Sequence, residues 1–274
     1  MPSAIITSVV LALLMMSSPT LAADTTRYEH GETVLSNSNG NRSYPYRILK
    51  PSNHNRTAPL VIFLHGAGER GDDNQRQLTY LPQRFLDAPH LNTRDCFVLA
   101  PQCPEDDTWA PFEIREGEPV EHTKAMQAAI ITIRKIISQE NIDTSRIYLT
   151  GLSMGGYGSW ALAARHPDWF AAVVPICGGG DPRTASKLVD VPIWAFHGDQ
   201  DQVVPEHASS EMVLAIRKAG GSPAYTVLPG VGHGSWPWAY GIRGAMDWMF
   251  AQRNPEPPRG LRQMSTETEI NPEH

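Results

Sequence analysis

Residues Arg146 to Trp160 read RIYLTGLSMGGYGSW, and the reading of the whole chain turns on this stretch. It holds Gly151-Leu152-Ser153-Met154-Gly155, a G-x-S-x-G pentapeptide, between two segments of different character. Ile147, Tyr148, Leu149 and Thr150 are β-branched, aromatic or apolar, as a short buried strand requires. From Tyr157 to Arg165 the small and apolar residues suit a helix packed close against a sheet. A serine at a tight strand-to-helix turn is held with its hydroxyl exposed, and glycines two residues to either side remove side chains that would collide there. The following helix turns its unsatisfied N–H groups and positive end toward that serine, where they stabilise a developing oxyanion. The same pentapeptide also arises as an ordinary crowded turn; the strand before it and the helix after it single out Ser153 as a nucleophile.

The chain has 274 residues, enough for one large single-core domain and too few for two. Its net charge is -6, and it contains no basic tract, so no nucleic-acid partner is expected. Ile5 to Met16 form an apolar run followed by the small residues Ser17, Ser18, Ala22 and Ala23. That pattern reads as a secretory signal peptide over residues 1–23, although the usual Lys or Arg before it is missing. The run is too short to span a bilayer comfortably; the alternative is a membrane tether. The expected destination is therefore the periplasm or the exterior, without stable membrane association. Residues 24–253 form the expected catalytic domain, and 254–274, rich in Pro and Glu, read as a disordered, dispensable tail.

Three cysteines are an odd number for an exported protein. Cys96 and Cys103 flank one expected strand whose ends would lie about 23 Å apart, far beyond disulfide reach. A bridge from Cys103 to Cys177 and three buried free thiols are both compatible with the sequence.

Strand and helix patterns alternate through the body. Strands are expected at Tyr46–Leu49, Leu60–Leu64, Phe97–Ala100, Ile147–Thr150, Ala171–Ile176, Pro192–Phe196 and Ala224–Leu228. Between Thr123 and Ser138, Met126, Ile130, Ile133 and Ile137 recur at three- and four-residue steps, the spacing of an amphipathic helix. Further helices are expected after Ser153, at Glu206–Lys218 and at Tyr240–Ala251. Near-continuous apolar strands separated by helices predict an α/β fold with a mostly parallel sheet covered on both faces, whose ligands sit at the carboxyl ends of the strands.

His65-Gly66-Ala67-Gly68 directly follows the Leu60–Leu64 run, and its glycines allow close backbone approach to a substrate. The Ala67 amide is the candidate oxyanion donor beside that of Met154. If the turn is a nucleophile elbow, the acid and then the base follow Ser153 in the chain. Five histidines do so: His166, His197, His207, His233 and His274. His166 reads as the end of a helix before Pro167, His197 as a satisfied supporting histidine at a strand end, His207 as a solvated helix start and His274 as tail. His233, in Gly230-Val-Gly-His-Gly234 after a strand, is the candidate base. Asp199 and Asp201 sit two residues apart in one turn, and periodicity does not choose between them as the acid.

Taken together, His65-Gly-Ala-Gly68, Gly151-Leu-Ser-Met-Gly155, His197-Gly-Asp-Gln-Asp201-Gln-Val-Val-Pro205 and Gly230-Val-Gly-His233 resemble the α/β-hydrolase superfamily. The likeness is to its secreted esterase branch of carboxylesterases, feruloyl and acetylxylan esterases, polyhydroxyalkanoate depolymerases and dienelactone hydrolase relatives. It covers roughly Tyr46 to Phe250 and implies Ser153 as nucleophile, Asp201 as acid and His233 as base. The interval from Ile176 to Pro192 is too short for an inserted cap domain. The expected activity is hydrolysis of carboxylic esters through an acyl-enzyme, without metal or cofactor. The histidines lack H-E-x-x-H spacing and the cysteines lack C-x-x-C spacing. The expected partner is a small-molecule, polysaccharide-linked or polyester-linked ester with a short or aromatic acyl group. Trp109 and Trp236 are the candidate substrate-binding residues, with loop packing as the other reading of both. A serine peptidase of prolyl-oligopeptidase type and a non-catalytic binding protein on the same fold are the alternative functions.

Overall fold

The computed structural model describes residues 24–37, 40–53, 55–112, 123–241, 244–258 and 260–261. The expected signal peptide, the loop between Phe112 and Thr123, and the last thirteen residues lie outside them. One eight-stranded sheet runs through the molecule in the order β1-β2-β4-β3-β5-β6-β7-β8. Its strands are β1 (Tyr28–Asn37), β2 (Gly40–Leu49), β3 (Ala58–Leu64), β4 (Phe97–Pro101), β5 (Ile142–Leu152), β6 (Ala172–Ile176), β7 (Trp194–Gly198) and β8 (Ala224–Leu228). Strands β3 to β8 pair in parallel, whereas β1 and β2 form an antiparallel hairpin that joins the sheet through β2 and β4. The helices are α1 (Leu81–Asp87), α2 (Lys124–Gln139), α3 (Met154–Arg165), α4 (His207–Lys218), α5 (Trp236–Ala239) and α6 (Ala245–Ala251).

The central strands are apolar because both of their faces are covered. Every residue of β3 and β4 is buried. One face packs against α2, α3 and α4 through Ile133, Ile137, Trp160 and Met212; the other packs against α1, α5 and α6 through Phe85, Tyr240, Met246 and Met249. Helix α2 starts where the sequence places it: Thr123 caps it by accepting the Met126 amide at 3.2 Å. Its stripe of Met126, Ile130, Ile133 and Ile137 is buried against the sheet.

Besides the unexpected helix α1 and the earlier starts of β2 and β5, the structure differs from the sequence reading in three places. Strand β1 was not expected, since Tyr28–Asn37 mixes charged, polar and apolar residues; it is an edge strand anchored by Thr33, whose hydroxyl lies 2.6 Å from that of Thr132 on α2. The expected helix Tyr240–Ala251 starts only at Ala245, as α6, with the unexpected short α5 ahead of it, because Gly241 and Gly244 interrupt the stretch and a Cβ on Gly244 would stand 2.2 Å from the Ala239 carbonyl oxygen. The boundary of the tail also moves. The Asn254 amide donates to the Ser145 carbonyl at 2.9 Å and Leu261 is buried in the core, so the expected disorder from residue 254 is corrected: hydrogen bonding and apolar burial hold the chain there.

Candidate active site

Ser153 stands between β5 and α3 with φ 54° and ψ -119°, a left-handed backbone that L-residues rarely adopt. Its amide donates to the Ile176 carbonyl at 2.9 Å, and its own carbonyl accepts from Gly156 and Tyr157. The flanking glycines are demanded by backbone contact: a Cβ on Gly151 would lie 2.3 Å from the Gly155 carbonyl oxygen, and one on Gly155 only 1.9 Å from that of Leu64. The crossing of β3, β5 and α3 is therefore too close for any side chain at these positions.

The His233 loop follows β8, the strand at the far edge of the sheet, and returns to the serine. His233 Nε2 is 2.9 Å from Ser153 Oγ, and His233 Nδ1 is 2.7 Å from Asp201 Oδ2. Asp201 lies just beyond β7 with its carboxylate fully buried. Oδ1 accepts the amides of Val203 at 2.9 Å and Val204 at 3.0 Å; Oδ2 also faces His197 Nε2 at 3.1 Å. Burial alone would raise the Asp201 pKa, but the hydrogen bond from His233 and the two amides outweigh it and hold the carboxyl below its ordinary value. Asp199 points elsewhere and accepts the Gly230 amide at 2.7 Å, which ties the acid turn to the base loop.

His65 is buried beneath the glycine loop. Its Nε2 accepts the Cys103 amide at 2.9 Å, which leaves the proton on Nδ1, 2.7 Å from the Gly66 carbonyl oxygen. Burial pushes its pKa down to about 4, so the ring is a neutral strut. Arg70 Nε donates to the Ala67 carbonyl at 3.0 Å and fixes the same loop from outside. The amides of Ala67 and Met154 donate to no acceptor among the described residues.

The two expected substrate-binding tryptophans occupy different settings. Trp236 packs edge-on against the His233 ring, centroids 5.9 Å apart, and is half-buried. Trp109 is buried, donates its indole N–H to the His65 carbonyl at 3.0 Å and packs on the His65 ring. The sequence reading missed one neighbour of the triad. Cys177 follows β6 with φ 40°, and its sulfur, an Asp201 carboxylate oxygen and a His233 ring nitrogen all lie within 4.8 Å of one another. The only signal was its position at the end of the strand beside β5. These three groups do not make a good metal site: Asp201 and His233 already bond each other, and burial pushes the Cys177 thiol up to about 12. Neither Cys103 nor Cys177 is bridged; all three cysteines are free and buried.

Comparison with known proteins agrees with this fold. The family described as phospholipase/carboxylesterase matches residues 48–240. Poly(3-hydroxyalkanoate) depolymerase C of Paucimonas lemoignei is 28% identical over 179 residues, 61% of this chain and 39% of that protein. Feruloyl esterase D of Neurospora crassa is 27% identical over 241 residues, covering 81% of this chain and 78% of that one. The crystal structure of a thermostable esterase superposes with a TM-score of 0.74 at 38% identity, over 84% of this chain and 64% of the other. The chain thus spans under two thirds of both the depolymerase and the thermostable esterase. The sheet order, the strand-turn-helix at Ser153 and the match over residues 48–240 place this chain in the phospholipase/carboxylesterase family of α/β-hydrolases.

Proposed function

We propose that the protein is a serine esterase working through an acyl-enzyme. The observation that carries this reading is the unbroken line Ser153 Oγ, His233 Nε2, His233 Nδ1, Asp201 Oδ2, with contacts of 2.9 and 2.7 Å. Neutral His233 takes the Ser153 proton as Oγ attacks the ester carbonyl. Asp201 stabilises the imidazolium and fixes its tautomer, while the Ala67 and Met154 amides hold the oxyanion. His233 then hands the proton to the departing alcohol, and a water activated by the same ring releases the acid. No step calls for a metal or a cofactor.

The proposed substrates are esters of short or aromatic acids, free or attached to a polymer. The relatives named for feruloyl esters and polyhydroxyalkanoate support that range, and Trp236 beside His233 supplies a flat apolar wall for the alcohol part. Export remains part of the proposal, on the strength of the apolar run at Ile5 to Met16. The test is a panel of aryl esters with matched anilides, run on wild type and Ser153→Ala. Ester turnover is expected to fall about 10⁶-fold in the variant with the fold unchanged, and anilides are expected to be poor substrates. Undiminished ester turnover by Ser153→Ala would overturn the reading; faster anilide cleavage would turn it to a peptidase.

A further inference from the structure

Behind the catalytic line a second serine and a second histidine meet the same carboxylate. His197, on β7, and Ser209, in the first turn of α4, are both fully buried. His197 Nε2 lies 3.1 Å from Asp201 Oδ2 and 2.9 Å from the Val204 carbonyl oxygen. A carbonyl only accepts, so this nitrogen carries a hydrogen and shares it between the two oxygens. On the other side of the ring, Nδ1 lies 2.8 Å from Ser209 Oγ, and that hydroxyl donates to the Gly178 carbonyl at 2.6 Å. Gly178 is in turn wedged against the first turn of α3: a Cβ there would stand 2.6 Å from both the Gly156 carbonyl carbon and the Tyr157 nitrogen. Two buried side chains thus join the acid to the backbone that follows the nucleophile.

Ser209 does no acyl chemistry, because it has no exposed surface for a substrate to reach. What the pair can do follows from the carboxylate between the two histidines. The Val203 and Val204 amides both hold Oδ1, whereas Oδ2 is the oxygen that meets His233 Nδ1. The last torsion of an aspartate is soft, so a carboxylate held through Oδ1 alone is free to swing Oδ2 away from the base. The Nε2–H of His197 is the second hold on that working oxygen. His197 keeps its own direction only while both ends of the ring are bonded, and Ser209 bonds the far end.

We propose that His197 is a positioning residue for ester hydrolysis, holding Oδ2 of Asp201 against His233, and that Ser209 holds His197 in turn. Helix α4 is thereby coupled to turnover through a hydroxyl that touches neither the substrate nor any member of the catalytic line. The proposal rests on the serine esterase reading, and its test separates the two.

The measurement is kcat and KM for 4-nitrophenyl acetate on wild type, His197→Asn, His197→Gln and Ser209→Ala, with Ser153→Ala as the blank. The two amides divide the ring between them: Gln sets a donor near the place of Nε2, facing Asp201, and Asn sets one near Nδ1, facing Ser209. Each variant is also made in an Asp201→Ala background, which has no carboxylate left to position and gains no new donor. With Asp201 present, kcat is expected to fall about ten-fold in His197→Asn, the scale of one hydrogen bond to a charged group, and about three-fold in Ser209→Ala. KM is expected to stay unchanged, and His197→Gln to recover most of the kcat. In the Asp201→Ala background, neither His197→Asn nor Ser209→Ala is expected to cost anything further. Equal losses in the two backgrounds overturn the proposal, since a merely structural role is indifferent to the carboxylate. So does a kcat untouched by both His197→Asn and Ser209→Ala, or a His197→Asn enzyme faster than His197→Gln. Ser209→Ala removes a single oxygen atom, and its cycle decides the matter should a histidine variant fail to fold. If wild type is no faster than the Ser153→Ala blank, it is the esterase reading that fails.

Discussion

The nucleophile and the acid are held in place by opposite means. Ser153 is fixed by backbone: its turn is strained, its flanking residues have no side chains and its neighbours are carbonyl groups of β3 and β6. Asp201 is fixed by its own carboxylate, which gathers two amides and two imidazoles in a buried site. The first arrangement tolerates a change of side chain at the central residue and none at its neighbours. The second reverses that, and substitutions at five positions test the contrast.

The largest effect is expected at the acid. Asp201→Asn replaces one acceptor oxygen with an amide donor facing His197 and His233, so the base loses both its tautomer and its orientation. A fall in kcat of about 10⁴, equivalent to about 5.5 kcal/mol, is expected from stopped or steady-state assays. Stability should fall with it, by about 1–3 kcal/mol in denaturant melts, because a buried donor set is left mismatched. Asp199→Asn keeps an oxygen for the Gly230 amide and should leave turnover within a few-fold. If the two variants exchange phenotypes, Asp199 is the acid.

At the elbow the sensitive position is the neighbour. Gly155→Ala places a methyl 1.9 Å from a backbone oxygen that has nowhere to go, and a loss of more than about 4 kcal/mol is expected, seen as insoluble protein or a collapsed melting transition. A well-folded Gly155→Ala protein would show that the crossing is looser than described.

His65 tests the loop between these two modes through pH. Its folded-state pKa near 4 lies below the unfolded value of about 6.5, so the unfolded chain binds more protons across that interval. The stability it contributes is complete above pH about 6.5 and is lost as pH falls toward 4, by about 3 kcal/mol in all. His65→Gln should therefore flatten the dependence of melting temperature on pH in that window. Parallel curves for variant and wild type would remove His65 from this role.

The smallest effect is at the nucleophile itself. A left-handed φ costs L-residues of order 1–3 kcal/mol, and glycine escapes it at the expense of extra unfolded-state entropy. Ser153→Gly is therefore expected to be more stable than Ser153→Ala by about 1 kcal/mol, although both are inactive. Equal melting midpoints would mean that the elbow stores no strain.

The same contrast explains what the sequence made legible. The elbow and the Ala67 loop could be read because close backbone approach demands glycine, and glycine spacing is visible in one dimension. His233 could be reached by chain order and its glycine-flanked loop. The choice of Asp201 over Asp199 could not be made from periodicity, because it depends on His197, Val203 and Val204 meeting one carboxylate in space; it came from family resemblance. Cys177 was invisible as a site neighbour for a related reason: the adjacency of β5 and β6 is a property of the sheet order, not of any local pattern. Strand β1 and the outer half of β2 escaped because an edge strand buries little and so leaves little alternation to read. The late start of α6 hung on two glycines, Gly241 and Gly244, inside an otherwise helical stretch.

The three buried thiols give the molecule a further property. No covalent cross-link ties the chain, so reaching this fold calls for neither an oxidant nor an isomerase, and reducing and oxidising compartments should yield the same protein. Burial raises the pKa of each thiol and keeps it protonated, so a disulfide reagent meets no reactive sulfur until the strands around it separate. Thiol modification thus becomes a clock for opening of the sheet, and Cys177, beside the triad, times the opening of the active site itself.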